Sequence, residues 1–209
     1  MVISLRSITK NMSKTLKHDL KADFLLNKGI ELLWAKGYNA TSVNDIVKAA
    51  EIPKGSFYFY FDSKEDFAVQ ALEKYFNQQF VPAFEVLQNK EISPKERLIA
   101  FYNFRVHILQ EELNCKMGCL GCNLANEVAE HSVAIRDMIA SKGALIKNHI
   151  AIVIQEAQDL NEIKNTMDAR DLAEFIEDAG KGAMITMKEM NDAYPILNFN
   201  KMVTTILLA

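Results

Sequence analysis

The stretch SVNDIVKAAEIPKGSFYFYFDSKEDF, residues 42–67, carries two helix-start signatures with a proline-containing turn between them. Ser42 and Asp45 have the spacing of a capping box, in which a hydroxyl and a carboxylate three residues on satisfy each other's backbone amides. Ser63 and Asp66 repeat the spacing. Between the signatures lie Phe57, Tyr58, Phe59, Tyr60 and Phe61, a ring run that taken alone alternates like a strand. The flanks decide otherwise. Residues 42–50 and 54–60 read as two short helices joined by the tight turn 51–53, which is helix-turn-helix arithmetic. In such a pair the second helix is the reader, and its first residues reach base edges in a major groove.

Helical period runs through the rest of the chain, and the predicted fold class is all-α. Ala22, Leu26, Ile30 and Leu33 form one apolar stripe over residues 19–38, closed by Gly37, since a left-handed residue after a last helical turn is cheapest as glycine. The helix opened by Ser63 continues into the high 80s, with a kink expected at Pro82. The segment SPKE at 93–96 joins a cap, a proline at the first helical position and a glutamate at the third. Further helices are predicted over about 96–113, 119–130, 133–158, 168–191 and 198–208. With 8 glycines and 4 prolines among 209 residues, sheet-rich and fibrous classes are disfavoured. The expected organisation is a basic flexible arm over 1–18, a three-helix domain with the helix-turn-helix over 19–62, and a larger helical domain over 63–209.

Charge divides along the same line. Residues 1–64 carry 10 Lys/Arg against 6 Asp/Glu, whereas 65–209 carry 14 against 21, so a basic third precedes an acidic body. That asymmetry suggests a polyanion partner for the first part only. No apolar run approaches the ~20 residues of a membrane-spanning helix. The leader lacks the apolar block of a secretory signal. The three cysteines, Cys115, Cys119 and Cys122, are too clustered for a disulfide framework, which together point to the cytoplasm.

Within the ring run, Phe57 and Phe61 lie four apart and share a face toward a small core with Ile46 and Val47. Tyr58 and Tyr60 fall off that face and are suited to donate to phosphate oxygens, and Phe59 to touch a thymine methyl. Lys54, Gly55 and Ser56 occupy the reading end, and Gly55 lets a backbone approach closely. Lys64, in the first turn of the next helix, is placed to grip a phosphate together with the helix end.

The ordered set GY-x-x-T-S-V-x-D-I followed by KGSFY-x-YF-x-SKEDF, within residues 25–67, resembles the DNA-binding domain of the tetracycline-repressor (TetR) family. The resemblance implies contacts to a palindromic double-stranded operator from Thr41, Ser42, Lys54, Gly55, Ser56, Tyr58, Tyr60 and Lys64. It also implies a homodimer paired through the last two long helices, an unknown small-molecule effector and release of DNA when that effector binds. One departure is Glu51, where the family's turn often has glycine: the chain either places a glutamate at positive φ, at a cost of about 1 kcal/mol, or turns differently.

For the second half, Leu172, Phe175, Ile176, Ala179, Ala183 and Met187 form a stripe over 168–191, with Gly180 and Gly182 admitting a second backbone; packing within the chain is the competing reading. By periodicity Tyr102, Arg105, Val106, Leu109, Leu120, Asn123 and Glu127 are candidates to line an effector cavity, and Arg105 is a candidate for an anionic ligand, for plain solvent exposure or for an internal ion pair. The segment CKMGCLGCNLANE, 115–127, admits three readings: small buried cysteines, redox or electrophile-sensing thiols at Cys115, Cys119 and Cys122, or a zinc site completed by His107 or His131. Its GC-x-x-x-NL block is similar to that of the acrylate- and electrophile-responsive branch of the same family. Nothing in the sequence calls for a cofactor. The resulting expectation is a DNA-binding regulator, with a thiol-dependent enzyme using Cys119 as the alternative.

Overall fold

The structure, a computed structural model, describes the backbone of residues 5–209 and the side chains from Asp19 onward. Among the described residues every regular element is helical. The chain forms two compact units that meet in sequence at Lys74 and Tyr75.

The first unit contains α1 (Leu5–Lys36), α2 (Val43–Ala49), α3 (Lys54–Phe57) and the start of α4 (Lys64–Gln88). Helix α1 is longer than its apolar stripe requires, because its backbone is already helical from Leu5, through most of the stretch read from sequence as an arm. Gly37 follows it at φ 82, and its N–H donates to the Leu33 carbonyl at 2.9 Å. Leu25, Ile30 and Leu33 from α1 meet Ile46 and Val47 from α2, all buried. Phe57, Phe61 and Phe67 complete this core, with ring centroids 4.8 to 5.4 Å apart. The two rings read as core are therefore core, anchored by a third from α4.

Both capping signals operate. The Asp45 N–H donates to Ser42 Oγ at 3.2 Å and the Ser42 N–H to Asp45 Oδ2 at 2.8 Å. At α4 the Asp66 N–H donates to Ser63 Oγ at 3.0 Å. Helix α3 is shorter than expected. After Phe57 the chain tightens, with Phe59 N–H donating to the Ser56 carbonyl and Tyr60 N–H to that of Phe57. These three-residue steps are the narrower coil that short, ring-crowded segments adopt at a helix end.

The second unit holds the rest of α4, then α5 (Pro94–His107), α6 (Leu120–Val128), α7 (Val133–Asp159), α8 (Ala169–Met190) and α9 (Tyr194–Met202); single π-helical turns extend α5 over Ile108–Glu112 and α9 over Val203–Leu207. Helix α4 continues through Pro82 without a break. Its main core packs Leu98, Phe101 and Tyr102 from α5 against Ile150 and Ile154 from α7, and Leu172 and Ile176 from α8. The SPKE signature opens α5 as a complete capping box with proline in its first turn. The buried Arg97 is compensated by the Leu87 carbonyl at 2.9 Å and by Glu156, which also takes Lys90 at 2.8 Å.

The α8 stripe is divided between two tasks. Leu172, Ile176 and Met187 face the core of their own chain. Gly180 is buried, and a Cβ there would lie 3.1 Å from the Phe199 ring of α9, so its smallness serves packing within the chain. Phe175 and Ile185 on α8, and Leu197, Met202 and Ile206 in and after α9, are exposed instead. No helix among the described residues is long and apolar enough to cross a membrane.

Candidate nucleic-acid interface and thiol cavity

In the first unit the turn between α2 and α3 sets the pose of the shorter helix. Glu51 adopts φ 54, so the turn keeps its left-handed residue although the side chain is glutamate. Its N–H donates to the Lys48 carbonyl at 3.2 Å and that of Ile52 to Val47 at 3.0 Å, the paired bonds of a Schellman C-cap. Pro53 then caps α3 from outside, leaving Lys54 as the first helical residue.

Lys54, Gly55 and Tyr58 are exposed, Ser56 and Tyr60 half-buried. A Cβ on Gly55 would meet nothing within 4 Å, so its small size answers no internal need. Tyr58 and Phe59 stand among the most exposed apolar side chains, yet each ring edges onto an inner neighbour: Tyr58 on Phe57 at 5.3 Å, Phe59 on Tyr60 at 5.2 Å. Such contacts hold the rings in place while their outer faces stay open. Ser42 is exposed, but its hydroxyl is engaged with Asp45, and that bond holds the Asp45 carboxyl below its ordinary range. The Lys64 ammonium lies 4.1 Å from the centroid of the Tyr38 ring, a cation–π placement beside the first turn of α4.

Thr41 departs from this pattern. Its side chain is fully buried, and its hydroxyl donates to the Gly37 carbonyl at 2.7 Å. It ties the end of α1 to the start of α2, because a buried hydroxyl must find an internal acceptor.

The second unit holds a partly open cavity of about 70 Å³. Phe76, Phe80, Ile146 and Met184 supply apolar wall; Arg105, Lys147 and Lys181 bring charge; Cys119 and Cys122 face it from the start of α6. Of the residues expected there, only Arg105 lines this cavity. Arg105 makes the internal ion pair, donating to Glu177 at 2.5 Å and lying 5.2 Å from the Phe101 ring centroid. Tyr102, Val106 and Leu109 line a separate, smaller recess with Arg105. Leu120 is buried in the core. Asn123 is consumed locally, donating to the Met117 carbonyl and accepting from Lys188, both at 3.2 Å. Glu127 lines neither space. Periodicity on α5 and α6 missed the wall from α4, α7 and α8, because a helix pattern does not say which neighbours meet it. The charges on Lys147 and Lys181 are both met by Asp178, at 3.1 and 2.8 Å.

Cys119 is the N-cap residue of α6 and closes it without a regular side-chain cap bond. Its thiol is nonetheless lowered to about 6, first by the hydrogen bond from the Cys122 thiol, with the Cys122 and Gly121 amides and the Tyr75 hydroxyl adding to it. Cys122 is pushed strongly upward by the same interaction and by burial. Cys115 stands apart, at φ 58, against the Val106, Met187 and Ile196 cluster, and its thiol is raised by burial and by the carboxylates of Asp192 and Glu111. Among the described residues no three Cys, His, Asp or Glu side chains converge to hold a metal ion.

A three-helix unit with a capped helix-turn-helix and an exposed basic, hydroxyl-bearing end, followed by a larger α-helical unit, is the architecture of a helix-turn-helix DNA-binding regulator. Family comparison gives the same class: residues 25–71 match the bacterial regulatory proteins of the tetR family and residues 94–203 match the tetracyclin repressor-like C-terminal domain. The chain belongs to the tetR family of bacterial transcriptional regulators. It is 34% identical to the HTH-type transcriptional repressor NemR of Escherichia coli K12 over 72% of this chain and 73% of that protein. It is 29% identical to the repressor DhaR of Mycobacterium sp. strain GP1, over 88% of this chain and 90% of that one. Among solved structures, a TetR regulatory protein from Rhodobacter sphaeroides superposes with a TM-score of 0.81 at 28% identity, covering 88% of this chain and 97% of that chain. Reduced E. coli NemR superposes with a TM-score of 0.78 at 25% identity, covering 90% and 97%.

Proposed function

We propose that the protein is a repressor that binds a palindromic operator as a homodimer and leaves it when the cavity of the second unit takes up a small molecule or its thiols are modified. The observation that carries the DNA reading is the α3 end. Lys54, Gly55, Ser56 and Tyr58 form an accessible basic and hydroxyl-bearing surface, held by the phenylalanine core beneath it. Tyr60 and Lys64 flank it. In this reading the tyrosine hydroxyls and lysines hold phosphates while the first turn of α3 faces base edges. Ser42 contributes from the start of α2, and Thr41 contributes by fixing that start rather than by touching DNA.

The exposed apolar residues of α8 and α9 support the dimer reading, since side chains such as Phe175 and Leu197 gain by burial against a second copy. Two-fold pairing sets two reader helices against two half-sites, which is why a palindrome is expected. Helix α4 supports a link between the activities, because one continuous helix carries Lys64 at its start and the cavity residues Phe76 and Phe80 further on. The relatives NemR and DhaR are repressors, which favours repression over activation here. An effector must prefer the released form by several kcal/mol for a near-complete switch.

The test is selection of bound duplexes from a random pool with the full-length protein, followed by affinity measurements across salt. A palindromic selected site is expected. Lys64→Ala should weaken all duplexes alike and reduce the salt slope by about 1. Absence of any salt-sensitive complex would sink the DNA reading, and a non-repeating half-site would sink the dimeric one.

A further inference from the structure

We propose that Cys119 and Cys122 form a hydroperoxide-oxidised dithiol site, closing an intrahelical disulfide across the first turn of α6 that weakens DNA binding. The chemistry stands apart from the regulator reading, on which only the DNA consequence rests.

Four observations converge on this site. Cys119 is the N-cap of α6 and Cys122 the third residue inside it, positions whose Cα atoms lie roughly 5 Å apart in a helix start, within the range a disulfide bridges. Both side chains line the same cavity and both are half-buried, so an oxidant has a path to them. Cys119 and Cys122 shift each other's titration, Cys119 downward and Cys122 upward, which favours Cys119 as the nucleophile and Cys122 as the proton-bearing partner. The buried Tyr75 hydroxyl, which accepts from the Leu120 N–H at 3.4 Å, also acts on Cys119 and steadies its thiolate.

The chemistry balances with a hydroperoxide as the only added reagent. The Cys119 thiolate attacks the distal oxygen of the hydroperoxide; the O–O bond breaks, and the alkoxide leaves and takes a proton from water to become an alcohol. Cys119 is thereby oxidised to a sulfenic acid. The Cys122 sulfur then attacks the Cys119 sulfur; the S–S bond forms, the S–O bond breaks, and the hydroxyl departs with the Cys122 proton as water. The apolar wall of Phe76, Phe80, Ile146 and Met184 suits an organic hydroperoxide better than a small hydrophilic one. Cys115 takes no part, because it packs in a different cluster and its thiol is raised by burial and by nearby carboxylates.

Closing the bond replaces the thiolate to which Tyr75 donates. Tyr75 belongs to α4, the helix that starts at Lys64, so oxidation alters a contact of the helix that also bears a proposed phosphate ligand.

The full-length reduced protein is treated with equimolar cumene hydroperoxide, alkylated and digested with trypsin. Cleavage after Lys116 separates Cys115 from the peptide 117–136, which contains both other cysteines. The expected product is that peptide, unalkylated and lighter by two hydrogens, with Cys115 fully alkylated. Cys122→Ser should accumulate a sulfenic acid on Cys119 that dimedone captures, whereas Cys119→Ser should leave Cys122 reduced. Cys115→Ser should link as the wild type does. A peptide 117–136 that remains alkylated at both cysteines, or a bond involving Cys115, overturns the site. Operator affinity should fall at least about tenfold on oxidation and return with dithiothreitol; unchanged affinity with the bond formed overturns the coupling. A reduced protein that binds no duplex defeats the regulator reading instead, while the peptide masses still decide the dithiol site.

Discussion

The tip of the Phe67 ring stands where a Cβ on Gly29 would be, 2.0 Å from its ideal position. Helix α1 therefore passes directly over the ring that, with Phe57 and Phe61, holds the α3 segment in place. In an open helix Gly→Ala gains about 1 kcal/mol. Here the added methyl has no room, and overpacking costs roughly 1–3 kcal/mol. Gly29→Ala should lower the urea midpoint of unfolding despite its better helix propensity, and Gly29→Ala with Phe67→Leu should lose less than the sum of the two. Additive losses would show that the ring is not the obstacle.

Glu51 pays a left-handed penalty of about 1 kcal/mol that glycine would avoid, partly offset by the greater freedom of an unfolded glycine. Glu51→Gly should thus stabilise the protein by about 0.5 kcal/mol, whereas Glu51→Val should destabilise it by at least about 1 kcal/mol. Thermal unfolding of the two variants measures the difference. Equal melting temperatures would contradict the backbone geometry of this turn.

Glu177 is only 7% exposed and its carboxylate is held by Arg105. Removing the guanidinium strands a buried charge, at a cost of about 3 kcal/mol. Replacing both partners with apolar groups removes the need for either. Arg105→Met should destabilise strongly in denaturant, and Arg105→Met with Glu177→Leu should recover most of the loss. An additive double variant would mean that the pair does not act as a unit.

The depressed Cys119 thiol sets a pH dependence that differs from that of an ordinary cysteine. Native Cys119 loses its proton at about 6 rather than at the usual value of 9.0, so its thiolate is present above that pH and disappears as pH falls through it. Alkylation by iodoacetamide should therefore be half-maximal near pH 6 and level off by neutrality, while Cys115 gains reactivity only in alkaline solution. Tyr75→Phe removes one donor and should shift the Cys119 midpoint upward. Site-resolved alkylation rates across pH test both; a Cys119 profile matching that of the denatured protein would show the first-turn environment to be inert.

The DNA-facing unit was largely readable from the chain. Capping pairs such as Ser42 with Asp45 act over three residues, and the i,i+4 pairing of Phe57 and Phe61 is a property of one local segment. Thr41 marks the edge of that legibility, since its place in the motif suggested a surface contact and only the path of α1 buries it. The same limit explains the cavity. Arg105 is reached by the helical periodicity of α5, which keeps it on the face shared with Tyr102 and Val106. Phe76, Phe80, Ile146 and Lys181 were missed because they come from three helices whose mutual placement no periodicity encodes.

By itself the sequence determined an all-helical chain, a helix-turn-helix with Phe57 and Phe61 turned inward, and the position of Cys119 and Cys122 at the opening of a helix. These are local matters of hydrogen bonding and side-chain spacing. Tertiary structure decided that Arg105 answers Glu177, that Gly180 serves Phe199, and that Tyr75 reaches the Cys119 sulfur. Each of those depends on which helix packs beside which, a choice made by the summed burial of many side chains and carried by no single stretch of the chain.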